Sequence, residues 1–246
     1  MRTSQSTRRI VRAAGAVGVA GIVALAGGTA VASGATSGHA SAGSAADDPH
    51  EGIPDQLVLN AVIRDFRPKG GGGHPDFESF GGTTTVGLVE DTLDEDGLPV
   101  AKSLRGMRID KEFKDAQGRN INPAMFSPEL GDQEGSLTNG PKSNGFASEE
   151  SFSQWYRDTP GVNVRLSVPI TLVRQPGTNV YVFDSSQHEP YKAQRGFFPI
   201  NGEGYGNFKN DKNYHFSTMI DTECIFNSDS NPVFKFTGDD DVWVFI

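Results

Sequence analysis

Short runs of β-branched and aromatic residues alternate with clusters of Gly, Pro, Asn and Asp along most of the chain. Such runs, separated by turn-forming residues, are typical of the strands of an all-β sandwich or barrel. The pattern predicts strands over residues 57–66, 164–174, 179–184, 214–227, 233–236 and 242–246. One short helix is predicted over residues 148–157, with Ser148 as its N-cap and the aromatic residues of SQWYR on one face. Residues 90–144 are polar, and we expect one or two weak strands there.

The last strand, VWVFI, is apolar on both of its faces. A strand of this kind is expected in the centre of a sheet, where both faces are covered. Gly238–Asp241 would then form a tight connection to the strand at 233–236. No turn or polar tail follows Ile246, so we expect the β-sandwich to be incomplete at the carboxyl end, since terminal segments are usually exposed.

Residues 1–32 combine four arginines, no acidic residue, a run rich in Ala, Gly and Val, and a final Ala-Val-Ala. This arrangement predicts a secretory signal peptide, and a retained membrane anchor is the alternative. Residues 33–52 are small and polar, which predicts a flexible linker. Residues 53–246 are then a single secreted or cell-surface domain, with no membrane insertion once the signal is removed.

The chain carries 22 Lys and Arg against 31 Asp and Glu. Removing the four arginines of residues 1–32 shifts the formal net charge from −9 to about −13. Such a charge disfavours nucleic acid and anionic membranes as partners, because phosphates attract a basic face. The single cysteine, Cys224, excludes an intramolecular disulfide, so that stability depends on a core or on a metal ion.

Three consecutive aspartates, Asp239, Asp240 and Asp241, lie between the two last predicted strands. At about 6 Å, two carboxylates repel each other by about 0.7 kcal/mol in water and by about 3 kcal/mol at an effective dielectric constant of 20. Partial burial of the run therefore requires a cation, and hard oxygen donors favour Ca²⁺. The alternative is a solvated acidic turn without a ligand.

Other candidate residues are better explained by structural roles. His74, Asp76 and Glu78 alternate as metal ligands on one strand face would, but the preceding glycines and Pro75 favour a turn with a structural role. His215 lies among aromatic residues and is expected in the core. The GGGG run at 70–73 lacks the Lys-Ser/Thr of a phosphate-binding loop. No pair of acidic residues is singled out as a glycosidase would require, so we expect no enzymatic activity.

The segment FTGDDDVWVFI resembles the hallmark of the fibro-slime domain, a branch of the protective-antigen-type, jelly-roll-like β-sandwich modules that bind carbohydrate. Five further blocks occur in the order expected for that family: VIRDFRPKGGGGHPDFE (62–78), FSQWYRDTPGVNV (152–164), ITL (170–172), FFPINGEGYG (197–206) and NYHFSTMI (213–220). The resemblance covers most of residues 57–246. The family pattern continues beyond the last strand, which again indicates an incomplete domain.

The resemblance implies that Asp239 and Asp240 hold Ca²⁺. In related yeast-adhesin lectins, two adjacent aspartates joined by a cis peptide bind a calcium ion that contacts sugar hydroxyls. A glycine commonly follows that pair, whereas Asp241 stands here, so the pairing 240/241 also stays open.

The expected function is calcium-dependent adhesion to an extracellular glycan or matrix polysaccharide. Two alternatives remain. The first is a structural spacer or assembly module of a larger surface protein, and the second is an accessory domain of a polysaccharide-processing enzyme.

Overall fold

The structure is a computed structural model that describes residues 7–16, 22–26, 50–77, 84–139, 145–226, 233–235 and 241–245. The strands are β1 (Thr7–Ala16), β2 (Ile22–Ala26), β3 (Gln56–Phe66), β4 (Thr85–Val86), β5 (Met107–Lys111), β6 (Phe113–Lys114), β7 (Asn120–Ile121), β8 (Ser136–Asn139), β9 (Asn163–Arg174), β10 (Val180–Asp184), β11 (Phe216–Phe226), β12 (Val233–Lys235) and β13 (Val242–Phe245). The helices are α1 (Glu149–Ser153) and α2 (Tyr191–Gln194), with single 3-10 turns at Pro123–Met125, Pro128–Leu130 and Lys209–Asp211.

The all-β class predicted from the sequence is confirmed, and each of the six predicted strands is present. Their observed ends differ from the predicted ends by one or two residues, which is the usual uncertainty of strand boundaries. In β9, half-buried and exposed residues alternate, as the period of two in a strand requires. The polar stretch 90–144 contains β5 to β8, which is more strands than the one or two expected.

Eight strands form one antiparallel sheet in the order β12-β2-β10-β9-β3-β11-β1-β13. The sheet must curl, because its two outermost strands are joined by only six residues. Across a flat sheet, seven strand spacings would separate β12 from β13 by about 34 Å. The connecting chain from Lys235 to Val242 reaches at most about 25 Å when fully extended.

The strands β1 and β2 belong to the segment that the sequence predicts to be a signal peptide. Among the described strands, β12 pairs with β2 alone and β13 pairs with β1 alone. Cleavage after residue 32 would therefore remove the pairing partner of both carboxyl-terminal strands, which would need new neighbours in the mature protein.

The central, buried position expected for the last strand is wrong. β13 lies at the edge of the sheet, where Val242 and Val244 are 37% and 41% exposed. β12 and β13 do not pair with each other as the strands of a hairpin, since they lie at opposite ends of the strand order; the connection predicted over Gly238–Asp241 lies, except for Asp241, outside the described residues. The apolar pattern indicates that both faces of the strand favour burial, but it does not determine which strand lies next to it in the sheet.

The chain forms two compact units. The sheet unit comprises Met1–Asp65 and Val164–Ile246, and the insert unit comprises Phe66–Asn163. The predicted domain boundary 53–246 thus encloses the insert unit and most of the sheet unit. The sheet unit has a core of aliphatic and aromatic side chains from β3, β9, β10, β11 and α2, among them Ile63, Leu172, Phe183, Tyr191 and Phe216.

The insert unit combines the sheets β4-β5-β8 and β6-β7 with α1 and an aromatic core. Phe66 stacks on Phe77 with ring centroids 4.2 Å apart, and Phe146 stacks on Phe152 at 4.1 Å. Trp155 contacts both pairs through Phe77, Phe146 and Phe152. Aromatic pairs at these separations stabilise a core beyond the area they bury.

Helix α1 begins where the sequence predicts, at the N-cap Ser148, but it ends after one turn. The Ser148 side chain accepts from Ser151 N–H, and the Ser151 side chain accepts from Ser148 N–H, which forms a capping box. The side-chain amide of Asn163 then donates to the carbonyls of Gln154 and Arg157, both at 2.8 Å. These bonds satisfy two carbonyls that a longer helix would engage, so that Asn163, a residue beyond the predicted helix, helps to end α1.

Candidate functional site

Both predicted calcium ligands, Asp239 and Asp240, lie outside the described residues, whereas the third aspartate of the run is described. Asp241 immediately precedes β13 and is exposed, although the neighbouring residues still desolvate its carboxyl group and raise its pKa. Desolvation disfavours the charged form of a carboxyl group, and a nearby cation would oppose this effect. The calcium site therefore stays a prediction.

His74 of the HPDFE segment is a buried structural residue. Its Nε2–H donates to the carbonyl of Ser151 at 3.1 Å, and its Nδ1 accepts from Asp76 N–H at 3.3 Å. Burial lowers the pKa of the imidazole, against smaller opposing effects from Asp76 and from hydrogen bonds. Both ring nitrogens are therefore engaged within the protein, as the structural role requires. Glu78 lies outside the described residues.

Asp76 connects the turn after β3 to the segment around α1. Its Oδ1 accepts from Ala147 N–H at 2.7 Å, and its Oδ2 accepts from Trp155 Nε1–H at 3.1 Å. Both carboxylate oxygens thus bind donors that lie more than 70 residues away in the sequence. This carboxylate holds together the framework of the insert unit.

A small cavity opens beside His74 in the insert unit. Its volume is about 140 Å³. The residues that line it are one arginine, one glutamine, one histidine, two apolar residues and three glycines: Arg67, Gln154, His74, Pro75, Val162, Gly72, Gly73 and Gly161. Polar and apolar residues thus contribute to the same lining.

One wall of the cavity is the glycine-rich turn that follows β3. His74 N–H donates to the carbonyl of Arg67 at 2.9 Å and closes this turn. A Cβ atom at Gly73 would overlap the carbonyls of Arg67 and Pro68, so that only glycine permits this close approach. Gly72 has a positive φ of 86° and open space around it, which leaves its backbone accessible.

Another part of the lining belongs to the turn 159–162, which Asn163 fixes in place. Val162 N–H donates to the carbonyl of Thr159 at 3.0 Å, and Thr159 N–H donates to Asn163 Oδ1 at 3.0 Å. Asn163 also binds the carbonyl of Gln154, as described above, and it is only 7% exposed. One buried amide therefore positions both Gln154 and the Gly161 turn.

A second buried polar network lies in the sheet unit. Asp65 is fully buried and accepts from Asn213 Nδ2 at 2.9 Å and from Tyr205 N–H at 2.5 Å. Asn213 in turn accepts from His215 N–H at 3.1 Å, and His215 is 5% exposed, which confirms its expected place in the core. These bonds fix the loop that carries Gly204 onto the end of β3.

Acidic residues near Arg157 are neutralised within the protein. Its guanidinium forms ion pairs with Asp94 and, at 3.3 Å, with Asp96. No group of three or more His, Cys, Asp or Glu side chains is placed to hold a metal ion within the described parts of the chain. Likewise, no helix in those parts is long and apolar enough to cross a membrane.

The sequence predicted the turn at the GGGG run but not the cavity that this turn lines together with residues 161 and 162. Arg67 and Gln154 are 87 positions apart, and no local pattern connects them. The available signal was the pair of segments PKGGGGHP and TPGVN, in which glycine and proline predict compact turns with accessible backbone.

The chain is similar to several proteins of Dictyostelium discoideum. It is 29% identical to the protein psiQ over 149 residues, which are 55% of this chain and 14% of psiQ. It is 28% identical to psiD over 205 residues, which are 79% of this chain and 32% of psiD. With psiR, the identity is 27% over 205 residues, covering 77% of this chain and 16% of psiR.

The chain therefore spans about a third or less of the length of these curated relatives. No family model matches the chain, and no solved structure matches it significantly.

Proposed function

We propose that the protein is an exported, non-enzymatic β-sandwich module of the fibro-slime type that binds carbohydrate or matrix polysaccharide at the cell surface. In this proposal, Asp239 and Asp240 hold a Ca²⁺ ion that contacts the glycan, and Asp241 contributes to the same ligand-binding loop. The observation that carries the proposal is the run of three aspartates between two strands, β12 and β13, that the structure contains.

The position of this run favours a cation over a solvated turn. β12 and β13 are apolar strands, and the carboxyl group of Asp241 already has a raised pKa from desolvation at the start of β13. Three adjacent carboxylates repel each other, and a divalent ion bound by their oxygens would remove that cost.

Three polar residues of the protein have structural roles. His74, Asp76 and Asp65 each use their ring nitrogens or carboxylate oxygens to hold the backbone or a neighbouring side chain. General acid–base catalysis requires a group that reaches a substrate, whereas these groups face the protein itself. Export of the module, predicted from residues 1–32, would place it where glycans and millimolar calcium occur.

Calorimetric titration of the protein with CaCl₂ tests the proposal. We expect a heat of binding and a rise in the melting temperature for the wild type, and the loss of both for Asp239→Asn and Asp240→Asn. Asp91→Asn is the matched control, because the Asp91 side chain is 94% exposed in another acidic stretch. The calcium site is refuted if the wild type gives neither signal or if Asp240→Asn retains both.

Glycan binding is tested separately on an array of extracellular polysaccharides, with calcium and with EDTA. Binding that disappears in EDTA supports the proposed function. An array without any bound glycan, in either condition, would instead favour the structural spacer.

A further inference from the structure

The strand β1 lies in the sheet between β11 and β13 and pairs antiparallel with both. All ten residues of β1 have a partner in β11. The position of residues 7–16 between these two strands is termed the strand slot. A segment in this slot runs antiparallel to both neighbours, so that main-chain hydrogen bonds hold it on two sides, as in the addition of a peptide strand to a sheet.

The β11 side of the strand slot is acidic on its outer face. Asp221 and Glu223 lie two positions apart in β11 and are both exposed, whereas the neighbouring Ile220 belongs to the core of the sheet unit. Side chains two positions apart in a strand lie on the same face. The two carboxylates therefore place negative charge beside the slot, on the face that points away from the core.

The pairing register brings a basic position of β1 to this acidic face. Arg12 has Asp221 of β11 and Phe245 of β13 as its direct partners in the ladder. Directly opposite residues of an antiparallel pair have their Cβ atoms about 4.5 to 5.5 Å apart, on one face of the sheet. The basic position is thus flanked by a carboxylate and by an aromatic ring, and a guanidinium binds both kinds of group.

The position two residues further along β1 is occupied by a small residue. Ala14 lies between Met219 of β11 and Trp243 of β13 in the same register. Two large side chains that flank one position on the same face leave room there for a small side chain only. The slot therefore favours a segment in which a basic residue is followed, two positions later, by alanine or glycine.

The charge of β11 disfavours a second copy of the chain in the strand slot. An antiparallel pair of two β11 strands centred on Thr222 would place Asp221 of each copy opposite Glu223 of the other. Like charges directly opposite each other destabilise a strand pair, whereas opposite charges stabilise it. A basic strand is therefore the partner that this edge selects.

We propose that the strand slot is a peptide-binding site for an extended segment with the pattern basic-x-small. The carboxylate and the ring beside the basic position recognise its charge, and the two large side chains beside the small position exclude bulky residues. Residues 7–16 fill the slot as an intramolecular ligand. After the predicted cleavage at residue 32, the slot accepts a strand of the same pattern from a partner protein. This site does not depend on the glycan binding proposed above.

Hydrogen exchange of the full chain, followed by mass spectrometry, tests how the slot recognises residues 7–16. We expect their amides to exchange slowly in the wild type. Asp221→Arg should speed this exchange about fivefold to tenfold, because it turns an opposite-charge pair into a like-charge pair, and adding Arg12→Asp should restore slow exchange. Glu203→Arg is the matched control, since Glu203 is an exposed acidic residue of the sheet unit outside its strands.

Two results of this experiment would overturn the proposal. The first is a wild type in which residues 7–16 exchange as fast as an unstructured peptide. The second is an unchanged exchange rate in Asp221→Arg. The single variant Arg12→Asp, which leaves β11 intact, makes the same comparison if Asp221→Arg does not fold, and slow exchange in β3 verifies folding.

A second experiment tests binding from outside the chain. A protease site inserted into the linker at residues 33–49 is cut after folding, so that every strand remains present, and a dye-labelled peptide TRRIVRAAGA is left to exchange with the cleaved leader. We expect fluorescence anisotropy to show binding, with about tenfold weaker binding of the peptide that carries Arg12→Glu. The Asp221→Arg protein should show the reverse preference, which a general loss of structure cannot produce.

Three results of this second experiment would overturn the proposal. One is the absence of peptide binding, and another is equal binding of the two peptides. The third is a cleaved protein that forms a dimer in sedimentation velocity and does not take up the peptide, because the edge would then pair with a second copy.

Discussion

Replacing Asn163 by alanine should destabilise the insert unit by about 3 kcal/mol. The Asn163 side chain makes three hydrogen bonds, to the carbonyls of Gln154 and Arg157 and from Thr159 N–H, with lengths of 2.8 to 3.0 Å. Each such bond contributes about 1 kcal/mol net to stability, and its loss costs more where the remaining donor or acceptor is shielded from water. Because Asn163 is only 7% exposed, water cannot reach the backbone groups that lose their hydrogen bonds to its side chain unless the structure changes.

Asn207→Ala is the matched control for this prediction. Asn207 also makes three side-chain hydrogen bonds, from Gly202 N–H at 2.7 Å and to the backbone and side-chain oxygens of Asp211 at 3.0 Å. It is exposed, so that water replaces each partner when the amide is removed. We expect a loss of less than about 1 kcal/mol, in the range of surface substitutions. The two variants thus share residue type and bond number and differ in burial.

The assay is urea unfolding followed by tryptophan fluorescence. The chain has two tryptophans: Trp155, which is 5% exposed, reports on the insert unit that contains Asn163, and Trp243 in β13 reports on the sheet unit that contains Asn207. Each variant is therefore measured with the tryptophan of the other unit replaced by phenylalanine. A loss of about 3 kcal/mol corresponds to a fall in melting temperature of about 6 to 12 °C for a chain of this size. Equal losses for both variants would refute the reasoning, because burial would then not determine the cost of the missing bonds.

Three further predictions concern buried residues. The free energy of unfolding of the wild type should fall as the pH drops below about 6.5. The reason is that His74 takes up a proton in the unfolded chain, whereas burial in the folded protein lowers its pKa and keeps it neutral. His74→Gln should lack this pH dependence when unfolding is measured at several pH values. Gly204→Ala should cost more than Gly202→Ala in urea unfolding: both have positive φ, but only at Gly204 would the Cβ overlap buried Asp65. Phe152→Ala should cost about 3 to 5 kcal/mol, since Phe152 is 1% exposed in the aromatic core, and a loss below 1 kcal/mol would contradict that packing.

The local structure of this protein was predictable because it depends on short-range patterns. Alternating apolar residues indicated β3 and β9, and Ser148 followed by Glu149 and Glu150 indicated the start of α1. These signals act within a few residues, through side-chain direction in a strand and through the free N–H groups of a helix terminus. Turn chemistry also marked segments that line the cavity, although not the cavity itself.

The position of each element relative to distant elements required the tertiary structure. The sequence by itself determined which residues form strands, that much of β13 is apolar, and that three carboxylates precede it. Only the structure showed that β13 lies at an edge, that Asn163 helps to end α1, and that Arg67 and Gln154 line one cavity. The periodicity of apolar residues determines which face of a strand or helix is buried. Which element packs against that face depends on the packing of the whole chain, between residues far apart in the sequence, and no local pattern encodes it.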